Sequence, residues 1–173
     1  MRVITLHQPW ASLIAQGYKQ YETRSCPTNY RGLLLIHAGK RPMDEAGELL
    51  CHVIKRSAVS SKLFMSDTLT GYRKEDYPFG CIVAVCQLAD CIRMEREFIN
   101  QQPDVERAVG WCATFRGEAS PRKLAWETGR FAWHLKDIKA LPTPIPAIGK
   151  QGLWVPSNEL VEKLEKTFLE VEV

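Results

Sequence analysis

Lys19, Glu22 and Arg24 fall within one short polar run, Lys-Gln-Tyr-Glu-Thr-Arg. Side chains on an extended chain repeat every two residues, so Glu22 and Arg24 share a face. Lys19 joins them only if the chain turns near Gly17 and Tyr18. Two cations and a carboxylate meeting at one point make a self-neutralising pocket for a polar ligand. Lys and Arg offer contacts to phosphate or carbonyl oxygens, and Glu accepts from an exocyclic amine. The same charges also make an ordinary surface salt-bridge cluster worth about 0–1 kcal/mol per pair, and spacing alone leaves both accounts open.

Other chemistries find little support. The chain has no GxxxxGK[ST] phosphate loop, no GxGxxG, no HExxH and no GxSxG. His7, His37, His52 and His134 are scattered at spacings that form no metal set, and the six cysteines include no CxxC pair, so neither a metal nor a cofactor is expected. His52 reads as a packed or solvated side chain on an apolar helix, and His134 as facing solvent or a groove. Met1 and Arg2 run straight into a strand-like stretch with no leader-like apolar region. A cytoplasmic chain with free thiols is the resulting expectation, and no apolar run approaches the ~20 residues of a membrane span.

The whole chain of 173 residues carries 23 Lys and Arg against 20 Asp and Glu, a formal net charge of +3. That excess is too small for the strongly basic footprint of a dedicated duplex binder. Any anion site must therefore come from a local cluster. The composition, 45% hydrophobic and 25% charged, excludes a disordered tail, a collagen-like repeat and a disulfide-stapled miniature domain.

The elements that must position the charges follow from periodicity. Val3, Ile4 and Leu6 form a strand ending at Gln8 and Pro9. Trp10, Leu13 and Ile14 then mark one face of a short helix that stops at Gly17. Gly32 to Ala38 reads as a buried strand, Met43 to Lys55 as an amphipathic helix, and Ser57 to Pro78 as an irregular excursion, either a loose surface loop or a lid. Gly80 to Cys91 and Arg130 to Leu141 read as strands, with a short helix over Glu95 to Gln101 and an irregular stretch around Trp111 to Gly117 between them. Pro142 to Trp154 reads as a rigid turn system rather than a ladder strand, and Ser157 caps a helix burying Leu160, Val161, Leu164 and Phe168. Short strands that stop alternating with helices predict an α+β fold. It is a small, mostly antiparallel sheet closed into a barrel with two or three flanking helices, in one domain over 1–173 with a long irregular insertion around 57–79.

Several short segments together carry a resemblance. Gln8-Pro9-Trp10, Gly17-Tyr18-Lys19, Glu22, Arg24, Arg31-Gly32 and Ile36-His37-Ala38 resemble the N-terminal signature of the ASCH family, the activating-signal-cointegrator homology domain. Gly80, Gly129-Arg130-Phe131-Ala132-Trp133, Pro144-Ile145-Pro146 and Gly152-Leu153-Trp154 resemble its later strands and closing turn. The resemblance implies a PUA-like β-barrel with a cleft between barrel and helix, and binding of single-stranded RNA or a nucleotide- or nucleoside-like ligand. Carried over residue by residue, it implies Lys19, Glu22 and Arg24 as cleft groups, with Gln8 and Trp10 beside them and His37 at the end of the facing strand. Trp10 either stacks a base or belongs to the core.

Some relatives are amidohydrolases acting on acylated cytidine-like nucleosides with a Lys and a Thr nucleophile. Here the Thr position is Glu22, so a hydrolytic alternative, on such nucleosides or on RNA, makes Glu22 a general base on water with Lys19 or Arg24 steadying the oxyanion. A third possibility is an adaptor using the excursion and the C-terminal helix. The mixed charges there, Glu159, Glu162, Lys163, Glu165 and Lys166, also suit a plain solvated face.

Overall fold

A computed structural model of the chain describes residues 1–43, 77–102 and 127–169. In chain order the elements are β1 (Arg2–Leu6), α1 (Trp10–Ala15), β2 (Tyr21–Arg24), β3 (Gly32–Ala38), β4 (Cys81–Arg93), α2 (Arg96–Gln101), β5 (Phe131–Pro146), β6 (Leu153–Trp154) and α3 (Asn158–Leu169). The six strands form one sheet in the order β2-β5-β4-β3-β1-β6. Every neighbouring pair is antiparallel except β1 and β3, which run parallel. The β4–β5 ladder shifts register between Ile82 and Ala84, Val85 and Gln87, and Leu88 and Asp90. Such irregularities bend strands and increase their twist, and the sheet curls into a mixed half-barrel, as an α+β PUA-like fold requires.

Alternation along the strands sorts the core into two layers. Ile4, Leu6, Leu34, Ile36, Cys86, Trp133 and Leu135 pack with Ala11 and Ile14 of α1 on one face. Val3, Leu35, Ile82, Val85 and Ile145 pack with Trp154, Leu160 and Leu164 on the other, under α3. The start of β4 is therefore covered on both sides, which explains why Cys81 to Cys86 is continuously buried and reads as an unbroken apolar run. Burial pushes the Cys86 thiol up to about 12, so it behaves as a small hydrophobe. A third, smaller cluster joins Met94 and Ala132 to Tyr21, Phe98 and Ile99, seating α2 beneath the outer end of β5.

One segment corrects the sequence reading. Pro142 to Trp154 reads as a turn system in the sequence, yet β5 continues through Pro146, with Cys81 opposite Pro146 and Ile82 opposite Ile145, and Leu153–Trp154 pairs with β1 as β6. The N–H of Ala147 donates to the Gly80 carbonyl, so odd-numbered amides point toward β4. Pro144 and Pro146 direct their missing donors to the opposite edge, where β2, paired only with residues 131–134, does not reach. Proline is tolerated where no ladder bond is needed.

The expected helix over 43–55 with His52, the insertion around 57–79 and the stretch 111–117 lie, apart from their outermost residues, outside the described residues. Among the described residues no helix is long and apolar enough to cross a membrane, and no group of His, Cys, Asp and Glu converges as a metal site.

Candidate ligand-binding site

The turn that brings Lys19 to its neighbours is built at the end of α1. Gly17 takes a left-handed φ of 77°, which glycine adopts without steric cost. The amides of Tyr18 and Lys19 both donate back to the Leu13 carbonyl. The chain then leaves as β2, and Lys19 Nζ reaches the Tyr21 carbonyl.

Here the three charges meet. Lys19 Nζ lies 3.7 Å from Glu22 Oε2, and Arg24 Nη1 lies 3.7 Å from Glu22 Oε1. Lys19 is 5% exposed and Glu22 9%, while the Arg24 side chain, at 30%, is the member most open to solvent. This is no loose surface cluster. Both ion-pair distances exceed the 2.7–3.2 Å of a direct N–H···O hydrogen bond, so the pairs are Coulombic contacts around an embedded carboxylate.

Trp133 completes the arrangement and was absent from the sequence candidates. It stands directly opposite Glu22 in the β2–β5 ladder, and the Arg24 guanidinium carbon lies 5.8 Å from its ring centroid, within cation–π range. Trp133 is 4% exposed, and its buried indole Nε1 has no hydrogen-bond partner among the described residues. The sequence places Trp133 on a strand, within the segment Gly129-Arg130-Phe131-Ala132-Trp133; the register that sets it against Glu22 is a property of the folded sheet.

The remaining predicted residues divide. Trp10 opens α1 and is half-buried. Gln8 bonds within the fold: its Nε2 donates to the Pro78 carbonyl at 2.7 Å, and its Oε1 accepts from the Ser12 amide at 3.1 Å. It thus caps α1 and ties it to the chain entering β4. Thr23, the hydroxyl nearest Glu22 in sequence, pairs with Ala132 and alternates to the opposite face from Glu22 and Arg24.

His37 does not join the cluster. It lies across from Thr5 in the β1–β3 ladder, its ring edge-on to Trp154 at 6.0 Å, among residues of the α3 face. The reason is parity: Leu34, Ile36 and Ala38 of β3 belong to the α1 layer, which leaves the alternate positions for the other side. His37 Nε2 donates to the Ala147 carbonyl at 3.1 Å, and the buried Nδ1 has no hydrogen-bond partner among the described residues. Burial holds its pKa below the usual histidine value, with Lys40 adding to the effect and the Ala147 bond opposing it.

A depression of about 430 Å³ is lined by Gly17 and Gln20, near Lys19 in sequence, and by His134, Leu135, Lys136, Asp137 and Ile138, and none of Lys19, Glu22 and Arg24 lines it. His134 stacks on Tyr21 with centroids 4.7 Å apart, and burial and Lys136 lower its pKa against the pull of Asp90. A second cavity of about 320 Å³, between residues 146–155 and α3, contains none of Lys19, Glu22 and Arg24.

Comparison with known proteins agrees with the architecture. The family model of the ASCH domain matches residues 4–142. Activating signal cointegrator 1 of Mus musculus is 36% identical over 105 residues, covering 60% of this chain and 16% of the relative. Its Homo sapiens counterpart is 34% identical over the same length and coverage. The chain thus spans about a sixth of the length of these relatives.

Proposed function

The chain belongs to the ASCH domain family, and on that premise we propose that it binds single-stranded RNA or a nucleotide-like ligand through the face carrying Lys19, Glu22 and Arg24. The observation that carries this reading is the Glu22 carboxylate held between two cations at 3.7 Å each, beside an unpartnered indole donor on Trp133. Buried ion pairs are a poor source of stability, since apolar residues of similar volume often serve as well or better. An unsaturated cluster of donors around one acceptor is instead an arrangement that a polar ligand completes.

The roles follow from exposure. Arg24, the most open member, meets the ligand first, through phosphate or carbonyl oxygens. Lys19 and Glu22 set the polar pattern behind it, and the half-buried Trp10 offers a stacking surface at the start of α1, a contact worth about 1–3 kcal/mol per base. Two cations against one carboxylate leave the cluster with a single positive charge, enough to favour an anion locally without the global field of a duplex binder.

Fluorescence anisotropy with labelled single-stranded RNA across a salt series tests the proposal. Binding that weakens as salt rises, and weakens further in Lys19→Ala and Arg24→Ala, supports it. Absence of binding, or binding indifferent to both substitutions, removes it.

A further inference from the structure

The polar groups of the cluster stand in a definite order. Lys19 lies beside one oxygen of Glu22 and Arg24 beside the other, which gives donor, acceptor, donor. Trp133, across the strand from Glu22 and next to the Arg24 guanidinium, adds a buried donor without an acceptor. Leaving such a donor unsatisfied has a real cost in the ligand-free fold, and its ring lies 5.8 Å from the Arg24 guanidinium carbon.

Resting on the reading above that this face takes RNA or a nucleotide, we propose that the group it accepts is the imide edge of a pyrimidine-dione, the Watson–Crick edge of uracil. That edge presents carbonyl, N–H and carbonyl, the complement of the protein's order. The ring N3–H donates to Glu22. One carbonyl accepts from Lys19, which keeps donors to spare beyond the Tyr21 carbonyl, and the other accepts from Arg24 or Trp133 Nε1.

The other bases fit less well. Cytosine and adenine turn a ring-nitrogen lone pair toward the carboxylate, so acceptor faces acceptor. Guanine offers two donors to Glu22 but sets its amino group against one of the cations. A site built to pair a donor loses affinity steeply when the donor is missing, because its own groups are then left unpaired.

Anisotropy with the full chain and three labelled oligonucleotides of equal length tests this: oligouridylate, oligocytidylate and oligo-N3-methyluridylate at one salt concentration. The expected result is binding to oligouridylate about tenfold or more tighter than to oligocytidylate, with N3-methylation abolishing the advantage. Trp133→Phe is expected to narrow the preference for oligouridylate over oligocytidylate. Equal, salt-sensitive affinity for all three oligonucleotides overturns the imide assignment and leaves RNA binding standing. No binding to any of them overturns both. The methylated probe reports on the unaltered protein, so the outcome does not depend on a variant folding.

Discussion

Glu22 and Trp133 are direct cross-strand partners in the β2–β5 ladder, and Arg24, two residues along the same face, sets its guanidinium 5.8 Å from the Trp133 ring centroid. One carboxylate, one indole and one guanidinium therefore share a small patch on the α1 side of the sheet, with Lys19 closing it from the turn after Gly17. β2 reaches this position as the edge strand, paired only with the first part of β5.

Removing the carboxylate should expose how much the cluster depends on it. Glu22→Ala leaves Lys19 and Arg24 facing each other, Lys19 at 5% exposure. Loss of one partner of a buried pair costs roughly 3–5 kcal/mol. Urea unfolding measures it. The double variant Lys19→Met, Glu22→Leu should lose less than the two single changes added together, and strict additivity would show that the pair does not interact.

Gln8→Ala removes both the cap on Ser12 and the bond to Pro78. The expected loss is about 1–2 kcal/mol, seen as a lower urea midpoint with an unchanged slope. Unaltered stability would mean that neither bond matters to the fold.

His37 makes the fold sensitive to acid. Its native pKa lies below 6.5, so between the native and unfolded values the unfolded chain binds the extra proton and stability rises with pH. The contribution is fully present above about 6.5 and is lost as pH falls toward the native value. His134, lowered in the same direction, contributes with the same sign. Urea midpoints measured from pH 7.5 downward should fall less steeply in His37→Gln than in the unaltered protein. Parallel pH profiles would contradict the assignment.

Gly149 is held against the same histidine. A Cβ there would lie 2.4 Å from His37 Cε1 and 2.7 Å from Nδ1, so Gly149→Ala must displace a fully buried ring or its own backbone. Overpacking of this kind costs about 1–3 kcal/mol. A thermal melt at fixed pH tests it, and a melting temperature equal to the parent's would show that the segment can move aside freely.

Much of the architecture is legible in the residues themselves. The apolar runs place β1, β3, β4 and most of β5, and Gly17 marks the turn that carries Lys19 toward Glu22. Local signals fail where the outcome depends on which strand lies alongside. The prolines of 142–146 resemble a turn until β2 proves too short to need their amides. The motif that contains His37 gives no sign that it faces Thr5 and Trp154 rather than Glu22. Gln8 has the polarity of a ligand contact, and in the fold it also ties Ser12 to Pro78, which no local signal shows. Trp133 comes to lie against Glu22 and Arg24 only through the register of β5 on β2, which no spacing within either segment encodes.

The most direct test of the account is the indole N–H resonance of Trp133 in a 15N–1H correlation spectrum, assigned by its disappearance in Trp133→Phe and followed as single-stranded RNA is added. The Trp133 signal is expected to shift saturably as its Nε1 gains an acceptor, while the signal of Trp154, whose Nε1 already donates to Thr5 Oγ1 at 3.2 Å, stays in place. RNA that binds to saturation while the Trp133 resonance does not move would contradict it.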